Sequence, residues 1–476
     1  DLLPAGAGGK QVNFVASGTL GSGVTVALKT DGQVEAVTGV AEGAGTPSVF
    51  EAASSTFMSS TFDSGSNKVV IAYKDEGNSN YGTAIVGTVS GTSISFGTAV
   101  VFQSAATDEI SAVYDSTNGK VVVSYREAAS SLSGRAIVGT VSGTSISFGT
   151  ETVFESGDTT YTSAVYDSTN GKVVIAYSDG GNGQYGTAIV GTVSGTSISF
   201  GTATVFESAD SNYISAAYDS TNNKVVISYQ DDANSTFGTA VVGTVSGTSI
   251  SFGTPVVFNA AGAFFVSSSF DANANKVVIS YRDSGNANYG TSIVGTVSGT
   301  SISFGTSVVF ENATTNYISS TFDSNLNKVV IAYSDSGNSS HGTSVVGTVS
   351  GTSISFGAAA VFENAASNYI SATYDSTNNK VVIAYQDSGN SGYGTAAVFT
   401  VGSTNNTSFI GITDAAISSA ASGSVTIKGG ISTNVTGLTA NSTYYVQADG
   451  TLATTSSSVL AGKALSSTSI NLDYTT

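Results

Sequence analysis

Lys224-Val225-Val226-Ile227-Ser228-Tyr229 is one of seven near-identical copies of a single strand. Its lysine returns every 52 residues, at Lys68, Lys120, Lys172, Lys224, Lys276, Lys328 and Lys380, and the spacing never slips. A fixed period of this length means one supersecondary unit copied in series. Before the quoted strand, Asn212-Tyr213-Ile214-Ser215-Ala216-Ala217-Tyr218-Asp219 alternates and ends in the turn Ser220-Thr221-Asn222-Asn223. After it come a polar loop from Asp231 to Ser235, a third strand over residues 238–245 and a Ser246-Gly247 turn. A fourth strand, residues 248–258, carries a bulge at Gly253. Four short antiparallel strands per unit, with no helical period, predict propeller blades.

The turn Asp recurs at Asp63, Asp115, Asp167, Asp219, Asp271, Asp323 and Asp375, and a strand-ending Phe recurs from Phe50 to Phe362. Seven copies of each predict an all-β, seven-bladed β-propeller over residues 45–401. Phe50 precedes the first lysine, and the seventh unit supplies only three strands before Val401. Residues 45–51 are therefore expected to complete the last blade and close the ring. Residues 1–44 and 402–476 each contain a strand, an Asp-Gly turn and a strand, around Asp31-Gly32 and Asp449-Gly450. They are expected to form a small β-rich module.

Composition narrows function by exclusion. Net charge is −18 and sequence pI about 4.2, which opposes nucleic-acid binding, since that needs a basic footprint. No apolar stretch is long enough for a transmembrane helix, so no membrane insertion is expected. Without Cys there is no disulfide or thiolate metal site, and the single His, His341, has no second His to form a catalytic or metal pair. There is no Trp and there are three Arg, too few for a sialidase-type arginine cluster. The start, Asp1-Leu2-Leu3-Pro4, lacks Met and suggests a processed product or a piece of a longer chain.

The repeats also compare themselves with one another. Loops joining strands one–two and three–four share one propeller face, and here they are nearly uniform. Loops joining strands two–three and blade to blade share the other face, and these differ. Variation on one face of a rigid scaffold suits a binding surface; drift on a face without packing duty is the alternative.

On that variable face an aromatic begins strand one at Phe57, Tyr161, Tyr213, Phe265, Tyr317 and Tyr369, with Glu109 in the remaining copy. Exposed, these rings would stack on sugars; buried, they would pack blade on blade. A second series, Tyr81, Tyr185, Phe237, Tyr289 and Tyr393, is broken by Ser133 and His341. An acid follows strand two at Asp75, Glu127, Asp179, Asp231, Asp283, Asp335 and Asp387. These acids suit either Ca²⁺, which wants six to eight oxygens, or Asx-turns; no other cofactor is implied. The second unit carries Glu109, Arg126, Glu127 and Arg135, readable as a local anionic-ligand site or as simple divergence. The Asp63 and Lys68 series read as turn chemistry with a cross-hairpin ion pair. Seven near-equivalent acids look structural, so no catalytic residue is assigned.

The flanks carry a resemblance. Lys10-Gln11-Val12-Asn13-Phe14-Val15 with residues 24–34, Phe409-Ile410-Gly411-Ile412, residues 437–452 and residues 459–466 resemble modules of marine bacteriophage virion and tail-fibre proteins. The resemblance implies a non-enzymatic virion appendage, extracellular, with other virion proteins and a host-surface glycan or protein as partners. It brings no site residue with it, and no coiled-coil heptad sets an oligomeric state. A secreted or surface lectin-like bacterial adhesin is the second reading; a polysaccharide-active glycoside hydrolase is the third.

Overall fold

The computed structural model describes residues 10–129 and 131–472. Residues 1–9, which include the unusual start, lie outside the described residues, as do residue 130 and residues 473–476. Two compact units result: residues 43–401, and residues 1–42 together with 402–476.

In the first repeat the four strands are Ser48–Asp63, Lys68–Asp75, Tyr81–Ser90 and Ser93–Phe96, and the pattern recurs along the chain. The Lys-Val-Val-Ile-Ala-Tyr strand is apolar on both faces because both faces are covered. Val69, Ile71 and Tyr73 pack with Val382 and Val398 of the seventh repeat. Val70 and Ala72, on the opposite face, pack with Val121 and Val123 of the second. All of these first-repeat residues are fully buried, each Val or Ile contributing roughly 1.5–3 kcal/mol. The long strand has two tasks. Its start pairs with the third strand of the preceding blade, and its end forms the inner strand of its own. Where Gly253 suggested a bulge, the outer strand breaks instead. Residues 253–255 leave the ladder, although Gly253 N–H still bonds Val242 O at 2.9 Å.

The ring closes through its first residues. Ala44 pairs with Phe399, and Ser48, Val49 and Glu51 pair with Ala396, Thr395 and Gly394. Gly45 is required at this junction: a Cβ there would stand 1.9 Å from Thr92 O. Near the axis a serine hydroxyl from each inner strand accepts a backbone N–H of the next blade. Ser371 takes Ser60 N–H, Ser59 takes Ala112 N–H and Ser111 takes Ala164 N–H, at 2.9–3.0 Å. Ser163, Ser215, Ser267 and Ser319 repeat the bond to Ala216, Ser268, Ser320 and Ala372. The links form one closed circuit of seven. Small residues belong here because blades crowd closest at the axis, and serine also satisfies an amide there.

The second unit is built from both chain ends. Gln11–Val15 pairs with Ser422–Ile427, and Thr25–Leu28 pairs with Phe409–Thr413. The two Asp-Gly turns form as read, with Gly32 and Gly450 at positive φ. A five-stranded sheet of C-terminal strands completes the unit, and Ala27, Phe409, Ile412, Tyr444 and Val446 share one core. No α-helix occurs among the described residues.

Candidate functional site

The uniform face is occupied by structural bonds. Each turn Asp is buried and caps its own turn: Asp115 Oδ1 accepts Thr117 and Asn118 N–H, both at 3.0 Å. Neighbouring turns bond across blades, as Thr221 Oγ1 does to Asn275 Oδ1 at 2.6 Å and Thr377 Oγ1 to Asn67 Oδ1 at 2.6 Å. Loops that bind one another tolerate little change, which accounts for their uniformity. The expected cross-hairpin ion pair does not form. Asp115 and Lys120 face each other in the ladder, but Lys120 Nζ reaches the next strand and donates to Thr140 Oγ1 at 2.8 Å. Lys172, Lys224 and Lys328 do the same.

On the other face the inner strands converge on a pit of about 230 Å³. Phe57, Glu109, Tyr213, Phe265, Tyr317 and Tyr369 line it, together with the next residue of each strand, Met58, Ile110, Ile214, Val266, Ile318 and Ile370. Tyr161 joins the same circle through Tyr213. Successive ring centroids stand 5.2–5.4 Å apart from Tyr161 through Tyr213, Phe265, Tyr317 and Tyr369 to Phe57. Their planes differ by 44–56°. The two sequence readings of these aromatics therefore meet: the rings pack against one another and also line an opening.

All seven residues of the circle adopt left-handed backbone, with φ between 48° and 52°. None is Gly or Asn, so each costs roughly 1–2 kcal/mol. The strain comes with a bulge that lifts two residues of each inner strand out of the ladder, as between Thr56 and Ser59. Strain repeated at every copy and placed around one cavity makes these seven positions the candidate site.

Glu109 fills the one non-aromatic position. Its Oε2 accepts Tyr161 N–H at 2.7 Å, and its backbone O accepts Thr162 Oγ1. The side chain keeps some open surface but is ringed by protein. Burial pushes its carboxyl up, against the pull of Tyr161 N–H and Arg126. Tyr161 is pushed up to about 12, by burial first and then by Tyr213 and Glu109. Burial also raises Tyr317 and Tyr369.

The acids after strand two cap short 3₁₀ turns. Asp75, Asp231, Asp283, Asp335 and Asp387 each accept a backbone N–H two or three residues on. Glu127 accepts Ala129 N–H at 2.9 Å. Asp179 sits likewise, without a bond of hydrogen-bond geometry. Among the described residues no three of His, Cys, Asp or Glu group to hold a metal.

The anionic-ligand reading of the second repeat also finds its arginines engaged. Arg126 bonds Asp108 and Asp158, both at 3.1 Å, and Lys74 reaches Asp108 at 2.9 Å. Arg135 pairs with Glu127 at 3.5 Å and with Glu151. His341 is half-buried at the start of its strand, opposite Asp335. Tyr81, Tyr185, Phe237, Tyr289 and Tyr393 occupy the equivalent position, and no ring contact joins them among the described residues.

Sequence reasoning missed a buried pairing. Tyr73 OH donates to Glu51 Oε2 at 3.0 Å, and Tyr229, Tyr333 and Tyr385 do the same to Glu207, Glu311 and Glu363. The signal was present in the recurring acid one residue after the strand-ending Phe. In the fifth repeat that residue is Asn259, and Tyr281 OH is left buried without a partner.

No protein-family model matches the chain, and no curated protein matches it in sequence. Among solved structures the chain is similar to the BP39L lectin from Burkholderia pseudomallei. The TM-score is 0.55 at 11% identity, over 75% of this chain and 98% of that one. Weaker likenesses are to a chain of a mitotic checkpoint complex (TM-score 0.47, 8% identity, 75% of this chain, 94% of that one) and to the SapL1 lectin in complex with alpha methyl fucoside (TM-score 0.41, 11% identity, 65% and 96%). At such identities the first likeness shows the fold alone, a β-propeller. None of these likenesses supports the bacteriophage resemblance of the flanks.

Proposed function

We propose that this chain is a non-enzymatic carbohydrate-binding propeller of the lectin kind, and that the axial pit is its sugar site. The observation that carries the reading is the circle of six strained aromatics around one opening on the variable face. Aromatic walls with a few polar groups suit a ligand with apolar faces and hydroxyl edges. The volume, about 230 Å³, equals that of roughly eight waters at ~30 Å³ each and suits a single sugar unit. The BP39L neighbour is itself a lectin, which agrees with this reading.

A hydrolase would need two carboxylates flanking one bond. Beside Glu109, the carboxyls of Asp108 and Asp158 are held by Arg126 and Lys74, which argues for binding over cleavage. The lectin-like reading ranks ahead of the virion appendage because no comparison supports the latter. The test is a glycan array on the intact chain, with and without EDTA. A restricted set of bound glycans, unchanged by EDTA, is expected. Absence of binding to any glycan would overturn the reading.

A further inference from the structure

One cation on the variable face has no counter-charge. Lys74, Arg126 and Arg282 occupy the same position in their repeats. Lys74 and Arg126 both meet Asp108. The position equivalent to Asp108 in the sixth repeat is Asn316, and Arg282 Nη1 donates to its Oδ1 at 2.5 Å. No carboxylate pairs with Arg282 among the described residues. Its Nε is buried without a partner, a feature shared with Arg126, whose terminal nitrogens hold two carboxylates instead. Burial holds the Arg282 guanidinium below its usual value, though it stays charged.

The position of this charge relative to the pit matters. The Arg282 guanidinium carbon lies 4.7 Å from the Phe264 ring and 4.9 Å from the Phe265 ring. Phe265 lines the pit, and Tyr213 touches both phenylalanines. Stacking fixes the planar fork before any ligand arrives, so little entropy is lost on pairing. Glu109 stands across the circle, three copies away, where Asp108, Glu109 and Asp158 outnumber Lys74 and Arg126.

We propose that Arg282 makes the axial pit selective for sugars bearing an anionic group, a carboxylate or a sulfate ester, which pairs with its guanidinium while the sugar ring rests against the Phe265 side. The excess of carboxylates on the Glu109 side turns the anionic end toward Arg282. This rests on the pit being a sugar site.

The test is titration calorimetry with galactose, galacturonic acid and galactose 6-sulfate on the wild-type chain, Arg282→Gln and Asn316→Asp. Asn316→Asp supplies the carboxylate that the second repeat already carries at Asp108, so the fold should be kept; circular dichroism checks it. The wild type should bind at least one acidic sugar about tenfold or more tightly than galactose, the scale of a charge-assisted pair. Both variants should erase that margin, and Asn316→Asp should leave galactose affinity within about twofold. The uronate and sulfate arms show which anion is preferred. Equal binding of neutral and acidic sugars by the wild type, or an acidic preference that survives Asn316→Asp, overturns the proposal. If none of the three sugars binds, this inference fails, while the sugar-site reading stands or falls with the glycan array.

Discussion

Replacing Ser215 by alanine removes one link from the axial hydroxyl circuit and little else. Alanine keeps the Cβ, so packing at the blade junction is retained. What disappears is the acceptor of Ser268 N–H, held at 2.9 Å. The Ser268 hydroxyl itself donates to Ser228 Oγ at 3.1 Å. A buried amide left without a partner costs roughly 1–3 kcal/mol. Ser215 and Ser268 are half-buried, so water relieves part of this, and a loss of about 1–2 kcal/mol is expected. Urea unfolding followed by tyrosine fluorescence measures it, with an unchanged m-value showing that only stability moved. Ser59→Ala interrupts a different junction, and the double variant should lose the sum of the two. Ser220→Ala, at an exposed turn position, is the control and should be neutral. If the single and double variants both unfold within about 0.3 kcal/mol of wild type, the circuit does not hold the blades together.

Three further outcomes are expected. Tyr281→Phe removes a buried hydroxyl that has no partner, because neighbouring Ser307 lacks hydrogen-bond geometry, and should be neutral or stabilising, whereas Tyr229→Phe breaks the bond to Glu207 and should cost about 1 kcal/mol in urea melts; equal losses in both would contradict the pairing. Burial raises the carboxyls of Glu51, Asp75, Asp179 and Glu311, so the folded chain binds more protons than the unfolded one just above the ordinary carboxylate range. Stability must then fall as pH rises through that window; calorimetry should find a higher melting temperature near pH 5 than near pH 7.5, and the reverse order would refute the burial argument. Removing residues 1–52 takes away the strand that pairs with Thr395 and Ala396, so the ring should lose cooperative unfolding, whereas an unchanged melting temperature would exclude closure by this strand.

The parts of the fold written into neighbouring residues were legible. The Lys-Val-Val-Ile strand, the Asp turns and the two Asp-Gly hairpins are local patterns, and identical copies fixed their register. The parts that depend on partners far along the chain were not. Ser215 meets Ser268 across a blade junction, and Tyr229 meets Glu207 across a blade; neither distance follows from strand alternation. Lys120 was misassigned because the ladder places it opposite Asp115, whereas the side chain leans toward Thr140 on the next strand. The circle at Phe57, Glu109 and Tyr161 was found from the copies, but its left-handed backbone was not, since no Gly or Asn announces it. Arg282 was overlooked because its distinction lies in Asn316, a neutral residue where the second repeat has Asp108.

The central claim, that the axial aromatic pit is the sugar site, is tested most directly by stoichiometry. Titration calorimetry of a glycan found on the array should give one site per chain. Tyr317→Ala should weaken that site about tenfold, the loss expected for truncating a buried aromatic contact. A stoichiometry near seven, or affinity untouched by Tyr317→Ala, would place binding away from the axis and contradict the account.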